Sequence, residues 1–540
     1  MSPTEPSAQS VSHPTSRDPL WWHVGLLLAA SILYEWSFLH IGLNLLDEGW
    51  PLYVARRLHE GGELYRDAFF VFPPGHVLNA WLAYGWQPPG FLPMRVLDSA
   101  YVVSLVIAVY FVGRRLMPPV FACFGALLLA LCTPYSHVAH FLFGYRYFVF
   151  ATLGLLAFFQ RVKTGDTRWT FLAGLCAGVG VSFRLTPAFA LSVAVAFGAL
   201  ALDRSWRTWL REWSTYAIGV LLVAVPVVAW LGTTVGPETA WREIIVRPVV
   251  MTDLQSLEMP ALELPKRWNR TSISYLWTSI QFRLYTLLYA GYLVAVFGLW
   301  LRALRRREPF EHVLLLTTVV WGATYWLRSF GRSDVAHLES AIPPVCILLA
   351  HLLWLVLRRW SERQRLGARD RGLVSAGAML VLFSLWIFLF KTDVHFSERG
   401  RTIPIETLGG IRIKDGVAAR QLDRRIRDVQ RETQPGDTIL DMSYAPGFYL
   451  ATDRSGPGWF DVIMPGTFMS EEEERFFIEK LKQDPPALII VLDRHFDDMP
   501  QRSLRKIGPI VTPWLLRRYA VRETIPDYNL AFPKDSLLRR

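Results

Sequence analysis

At 540 residues, 52% hydrophobic and only 19% charged, with 22 tryptophans, the chain has the composition of a multispan membrane protein rather than of several soluble domains. Its net charge of +11 does not point to nucleic acid, because the basic residues sit in short links between apolar runs, where positive-inside orientation puts them. The four cysteines (Cys123, Cys132, Cys176, Cys346) all lie inside apolar runs, which argues against a disulfide framework or a CxxC metal site.

In chain order, residues 1–19 are polar, rich in Ser and Pro, and read as a disordered cytoplasmic tail. Residues 20–46 are too long for a signal-peptide core and lack a cleavage site, so they read as a retained first span. The segment "NLLDEGWPLY" (44–53) follows, with Asp47 and Glu48 where that span should end. Pro51 suits the first turn of a helix that Gly61 and Gly62 would close. Asp47 would then cap the helix and Glu48 favour its positive end, or the two acids do chemistry; both readings stand at this point. In "LYRDAFFVFPPGH", Arg66 and Asp67 sit between aromatics, as an interfacial salt bridge or with Arg66 turned to a lipid phosphate. Residues 72–90 are short and bracketed by Pro and Gly, and read as a juxtamembrane helix at the outer interface.

Further apolar runs of about bilayer length lie near 93–113, 118–134, 141–160, 169–184, 186–202, 215–235, 278–301, 311–328, 338–358 and 372–391. The links 113–119, 160–168, 202–213, 302–309 and 358–371 are basic, and all fall on one side if the N-terminus is cytoplasmic. Eleven crossings then place 20–391 in the membrane and 392–540 outside. In this tail, 412–432 has helical spacing, 437–443 and 487–493 read as buried strands, and a helix near 471–483 lies between them. That alternation predicts a small extracytoplasmic α/β domain with a parallel sheet. "YAPGFYLATDRSGPGWF" (444–460) is a structured loop at a strand's C-terminal end, with no nucleophile or phosphate fingerprint, and reads as a packing or docking loop.

The candidate chemistry gathers on the outer side. Arg146 lies just inside a span, and "LRSFGRSDVAHLES" (327–340) carries Arg328, Arg332, Asp334 and His337. Arginines there break the positive-inside pattern, and a phosphate ligand would explain them, because guanidinium recognises phosphate oxygens bidentately. Asp334 and His337 stand i, i+3, on one face of a helix, as an Asp–His hydrogen bond or as part of a metal site. Arg184 at the break between two spans is a helix-end anchor or another anion contact, and Glu35 inside the first span has no partner that the sequence singles out.

A first span ending in Asp-Glu, a "G…YRD…PPG" loop, many spans and an external C-terminal domain together resemble the GT-C glycosyltransferases. These include the protein O-mannosyltransferases and the lipid A aminoarabinose transferases. "GRSDVAHL" and "PGFYLATDR" are similar to bacterial members of that group. The resemblance implies a polytopic α-helical membrane enzyme that takes a sugar from a polyprenyl-phosphate donor and passes it to a lipid, glycan or protein acceptor. It places the catalytic base on Asp47, with Glu48 as second candidate. Arg66, Asp67, Arg146, Arg328, Arg332, Asp334 and His337 then serve the donor phosphate and substrate. Some relatives also bind a divalent cation, Mg2+ or Mn2+, near the acid. Two departures stand out: Phe72 replaces the Lys that precedes the paired prolines in aminoarabinose transferases, and "TPYSHVAH" lacks an acidic residue common in that link. The alternatives are a transporter or flippase of lipid-linked sugars, with intramembrane charges along its path, and an inactive scaffold.

Overall fold

The computed structural model describes residues 20–86, 90–131, 146–203, 205–263, 270–390, 402–413, 416–492, 495–522 and 528–534. The tail 1–19, the link 135–140 and the boundary between the two domains near 391 lie outside the described residues. The membrane half runs α1 (Leu20–Phe38), α2 (Gly49–His59), α3 (Gly75–Trp86), α4 (Phe91–Gly113), α5 (Pro119–Ala130), α6 (Arg146–Thr164), α7 (Arg168–Phe183), α8 (Leu185–Leu202) and α9 (Trp206–Thr234). It continues through α10 (Pro237–Trp241), a π-helical turn (Arg242–Val246), α11 (Arg247–Leu254), α12 (Arg270–Arg306), α13 (Val313–Trp326), α14 (Val335–Ser340), α15 (Ile342–Arg363) and α16 (Ala368–Phe390). Each of the eleven expected crossings coincides with a helix. Among the described residues, six are long and apolar enough to cross a membrane by length and composition: Phe91–Gly113, Leu185–Leu202, Trp206–Thr234, Tyr275–Arg306, Ile342–Arg363 and Ala368–Ile387.

Large apolar side chains stay exposed along the outward faces of α1, α9, α12 and α16, for example Trp21, Trp36, Leu222, Val228, Leu287, Val294, Leu380 and Val381. So extensive an apolar surface on helices of this length is a surface for lipid. Inside the bundle, α7 and α9 approach to backbone contact. A Cβ on Gly174 would stand 2.1 Å from the Tyr216 carbonyl oxygen, and one on Gly219 would stand 2.4 Å from that of Phe171. Small residues let helices pack in this way where the solvent is itself apolar. At one end of this pair Glu212 is fully buried, accepting from Arg161 Nε at 2.9 Å and Thr170 Oγ1 at 2.5 Å.

The first span is shorter than its apolar run. α1 stops at Phe38, and residues 39–48 form a loop in which Gly42 takes φ +80°. The juxtamembrane segment does fold as a helix, α3, and α2 ends at His59 before Gly61 at φ +92°.

The C-terminal residues form β1 (Ile403–Ile405), β2 (Ile411–Ile413), α17 (Gly416–Glu432), β3 (Ile439–Met442), α18 (Gly447–Thr452), α19 (Glu471–Gln483), β4 (Leu488–Leu492), α20 (Leu504–Ile507), α21 (Val511–Arg518), β5 (Tyr519–Arg522) and β6 (Tyr528–Pro533). β3 and β4 pair in parallel, with Leu440 opposite Ile489, as the two buried runs imply. Beyond that parallel pair the sheet is mixed: β6 runs antiparallel to β4, β5 antiparallel to β6, and the order is β3-β4-β6-β5. Residues 411–413 are strand rather than the start of the following helix.

Gly174→Leu is expected to force α7 and α9 apart and to destabilise the protein by about 1–3 kcal/mol, as overpacking of a close contact does. A lowered thermal midpoint in detergent checks this, and an unchanged midpoint would show that the contact is dispensable.

Candidate active site

The acidic segment is built from its own side chains outward. Asn44 Oδ1 accepts from the backbone N–H groups of Leu46 (3.0 Å) and Asp47 (2.8 Å), which fixes an Asx turn. Asn44 Nδ2 donates to Asp47 Oδ2 at 3.0 Å. Asp47 itself does not cap α2: the residue at the helix N-cap is Glu48, in helical conformation and with no capping hydrogen bond from its side chain. The capping expectation fails because Asn44 already holds this turn.

Glu48 is buried and turned the other way. Arg95 on α4 grips it through two bonds, Nε to Oε1 at 2.7 Å and Nη2 to Oε2 at 2.8 Å, and Asn44 N–H adds a third at 3.0 Å. The same guanidinium donates to the carbonyls of Leu39 (2.9 Å) and Gly42 (2.7 Å). Arg95 is thus saturated by the loop that it supports. An Arg inside the apolar run of α4 is itself a signal of such a partner, since a charge there needs one. The same α4 also meets Glu35, whose Oε2 accepts from Ser99 Oγ at 3.1 Å.

Asp47 is half-buried, and among the described residues Asn44 alone donates a hydrogen bond to its carboxylate. Burial pushes its pKa up to about 7, helped by the negative charges of Asp334 and Glu48 and opposed by Asn44 and Arg332. The charges acting on it therefore come from the distant 327–340 segment, which lies beside it.

There Asp334 accepts from Arg332 Nε (2.7 Å, to Oδ2), from His337 N–H (2.9 Å, to Oδ1) and shares Oδ1 with His337 Nδ1 at 2.7 Å. These bonds hold its carboxyl well below the usual range despite burial. Burial pushes the His337 imidazole down, and the nearby guanidinium groups of Arg328 and Arg184 add to this against the pull of Asp334, so His337 is neutral at pH 7. Arg184 occupies the extended residue between α7 and α8 and lies over the Phe72 ring at 5.2 Å. Arg328, in the turn after α13, donates to Tyr325 Oη at 2.5 Å.

Arg332 has other duties. Its Nη1 donates to the Gln255 carbonyl at 3.0 Å and its Nη2 to Asp497 Oδ1 of the C-terminal domain at 2.8 Å. It is an interdomain strut beside the site. Arg66 is exposed and pairs with Glu63 at 2.9 Å, and Asp67 Oδ2 accepts from Glu63 N–H at 2.9 Å, so both are spent inside the turn 63–67. The side chain of Arg146 lies outside the described residues. Among the described residues no three His, Cys, Asp or Glu side chains converge on one point.

The C-terminal domain closes over the acidic loop. Gly447 N–H donates to the Leu45 carbonyl at 2.9 Å, and a Cβ on Gly49 would stand 2.5 Å from the Gly447 Cα. Arg412 donates its N–H to the His40 carbonyl at 2.7 Å and accepts from Gly42 N–H at 2.9 Å. Arg56 of α2 reaches the Tyr449 carbonyl at 3.1 Å, and the buried Arg247 bridges Glu243 and Glu473 at 2.6 and 2.7 Å. The loop 444–460 thus docks on the membrane half, as the sequence reading has it.

Arg95→Met leaves Glu48 buried without its counter-charge, which costs about 3–5 kcal/mol where a pair is broken on one side. Adding Glu48→Gln is expected to recover part of this. Thermal unfolding of the two variants checks the pair; equal stability of Arg95→Met and wild type would count against it.

Comparison with known proteins agrees with this architecture. Residues 87–231 match the family model for dolichyl-phosphate-mannose-protein mannosyltransferase. No curated protein matches the sequence. The fold is similar to that of ArnT from Cupriavidus metallidurans bound to undecaprenyl phosphate, at TM-score 0.56 and 15% identity over 95% of this chain and 98% of that one. The apo state of the same protein gives TM-score 0.56 at 15% identity, covering 96% and 99%. The apo Archaeoglobus fulgidus oligosaccharyltransferase gives TM-score 0.52 at 12% identity, over 87% of this chain and 70% of that one. The chain therefore has the fold of the GT-C membrane glycosyltransferases, as its acidic first loop and its succession of spans led one to expect.

Proposed function

We propose that the protein is an integral membrane glycosyltransferase that moves a sugar from a polyprenyl-phosphate donor to an acceptor hydroxyl at the outer face of the cytoplasmic membrane. The observation that carries this reading is Asp47, a carboxyl raised to about 7 with Arg332 and Asp334 beside it. A group with a pKa near the working pH serves well as a general base. The similarity in fold to a protein bound to undecaprenyl phosphate supports the donor class.

The acceptor oxygen attacks the anomeric carbon while Asp47 takes its proton. The bond from that carbon to the phosphate oxygen breaks, and polyprenyl phosphate leaves with the electron pair. One displacement at one carbon inverts its configuration. The leaving phosphate gains charge, and positive groups already in place stabilise it without reorganising. Arg184 and Arg328, both close enough to act on His337, are our choice for this task. Arg332 contributes its field rather than a direct contact, since its donors are taken by Asp334, Asp497 and Gln255. Glu48 accepts from the Asn44 N–H, so it helps to position Asp47 through Asn44, and Arg95 grips its carboxylate.

Asp47→Asn is expected to lower transfer by about 10²–10⁴-fold with expression and binding of the donor lipid kept. Retained transfer would sink the assignment, and a protein that moves lipid-linked sugars across the membrane without transfer would favour the flippase reading. The pH dependence has a definite sign. The base works ionised, so kcat/KM falls tenfold per unit as pH drops below about 7 and levels off above it. A profile flat down to pH 5 would exclude Asp47 as the titrating group.

A further inference from the structure

One side chain at the seam between the domains has a polar atom that the fold leaves unused. Tyr444 follows β3 and is 93% buried by area, being 7% exposed, yet its hydroxyl has no hydrogen-bond partner among the described residues. Its backbone is left-handed, at φ +60°, a conformation that bulky residues rarely take. Asp441 holds it there: the carboxylate accepts from Ser443 N–H at 3.0 Å on one side and from Ala445 N–H at 2.7 Å on the other. Tyr444 is thereby presented at the tip of a clasped turn.

Two sets of contacts tie that tip to the acidic site. Three residues on, Gly447 bonds Leu45 in the Asp47 loop. The Tyr444 ring meets Phe496 edge-on at 5.2 Å, and the Arg332 guanidinium also lies over Phe496, 5.9 Å from the ring centre. Arg332 is the cation that acts on Asp47. Packing alone does not ask for the hydroxyl, since Phe would fill the same space and leave no buried donor unmet. The hydroxyl is kept for a group that arrives with the ligand. Burial keeps the phenol protonated, and the negative charge of Asp441 adds to this and disfavours an anion beside it. The matching group is neutral and can both donate and accept, as a carbohydrate hydroxyl does and a phosphate does not.

We propose that Tyr444 is a substrate-contacting residue lent to the Asp47 site by the C-terminal domain, its phenol bonding a sugar hydroxyl of the donor or of the acceptor. The inference rests on the glycosyltransferase reading above, and deepens it by giving the C-terminal domain a direct part in sugar recognition.

The test uses the full chain in lipid nanodiscs, which avoids sugar-headed detergents, and the conservative variant Tyr444→Phe. Its thermal midpoint is expected to equal or exceed that of wild type, because an unmet hydroxyl has been removed. Binding is measured for undecaprenyl phosphate and for a panel of undecaprenyl-phosphate-linked hexoses and pentoses. If the partner is on the donor, Tyr444→Phe weakens the preferred sugar-bearing lipid by roughly tenfold and leaves the bare lipid phosphate unchanged. If it is on the acceptor, both lipids bind as before. The amount of envelope glycolipid extract needed for half-maximal transfer then rises by roughly the same factor. Binding and transfer both equal to wild type would overturn this inference alone. Failure of the wild-type protein to bind any of these lipids would overturn the donor reading and this inference with it.

Discussion

Glu48 and Arg95 form an ion pair with almost no exposure to water, 2.7 Å apart at its closest. Burial of two charges is costly unless the geometry is good and every remaining donor is met. Both conditions hold here, because Arg95 also serves the carbonyls of Leu39 and Gly42 while Glu48 takes the Asn44 N–H. The pair therefore fixes the whole path from the end of α1 to the start of α2. The strand residue Arg412 and the turn residue Gly447 bond this path from the other side, so the C-terminal domain docks on a surface that Arg95 has already shaped.

The membrane helices were legible because lipid imposes a rule that each segment obeys by itself: about 20 apolar residues, with charges in the links. α1 ended eight residues before its apolar run did, because Gly42 and the Asn44 turn redirect a chain that hydropathy alone treats as continuous. Asp47 and Glu48 were legible as a pair, but not their separation of roles. That depends on Arg95, which lies 47 positions away from Glu48. The same blindness to distance affected the arginines. A guanidinium displays one chemistry to phosphate and carboxylate alike. Sequence alone thus could not reveal that Arg332 would meet Asp497, 165 positions away, or that Arg66 would stay with Glu63. In the tail, β3 and β4 announced themselves as continuous buried runs. β5 did not, since "YAVR" mixes exposed and buried positions within four residues.

Backbone strain marks the seam between the halves. Tyr65, Tyr444, Trp459, Phe460 and Asp497 all take positive φ without being glycine. Each is held by contacts from more than one side: Phe460 packs on Phe69 and Phe468 with Arg247 over its ring, and Asp497 is gripped by Arg332 and Arg502. Unfavourable conformations persist where the surroundings over-determine them, and such places are commonly functional. In this chain they line the join between the acidic loop and the domain that covers it.

Two neighbouring carboxyls in one loop would ordinarily repel and blur their roles. The fold prevents this by giving them opposite surroundings. Glu48 receives the Arg95 guanidinium and three hydrogen bonds, which fix its position. Asp47 receives burial and the fields of Asp334 and Glu48, which raise it toward neutrality against the Asn44 hydrogen bond and the Arg332 charge. Unlike surroundings give neighbouring carboxyls unlike roles. The field of Glu48 is thus part of what makes Asp47 receptive to a proton. A single turn of chain thus holds one acid fixed by Arg95 beside another that burial raises toward neutrality.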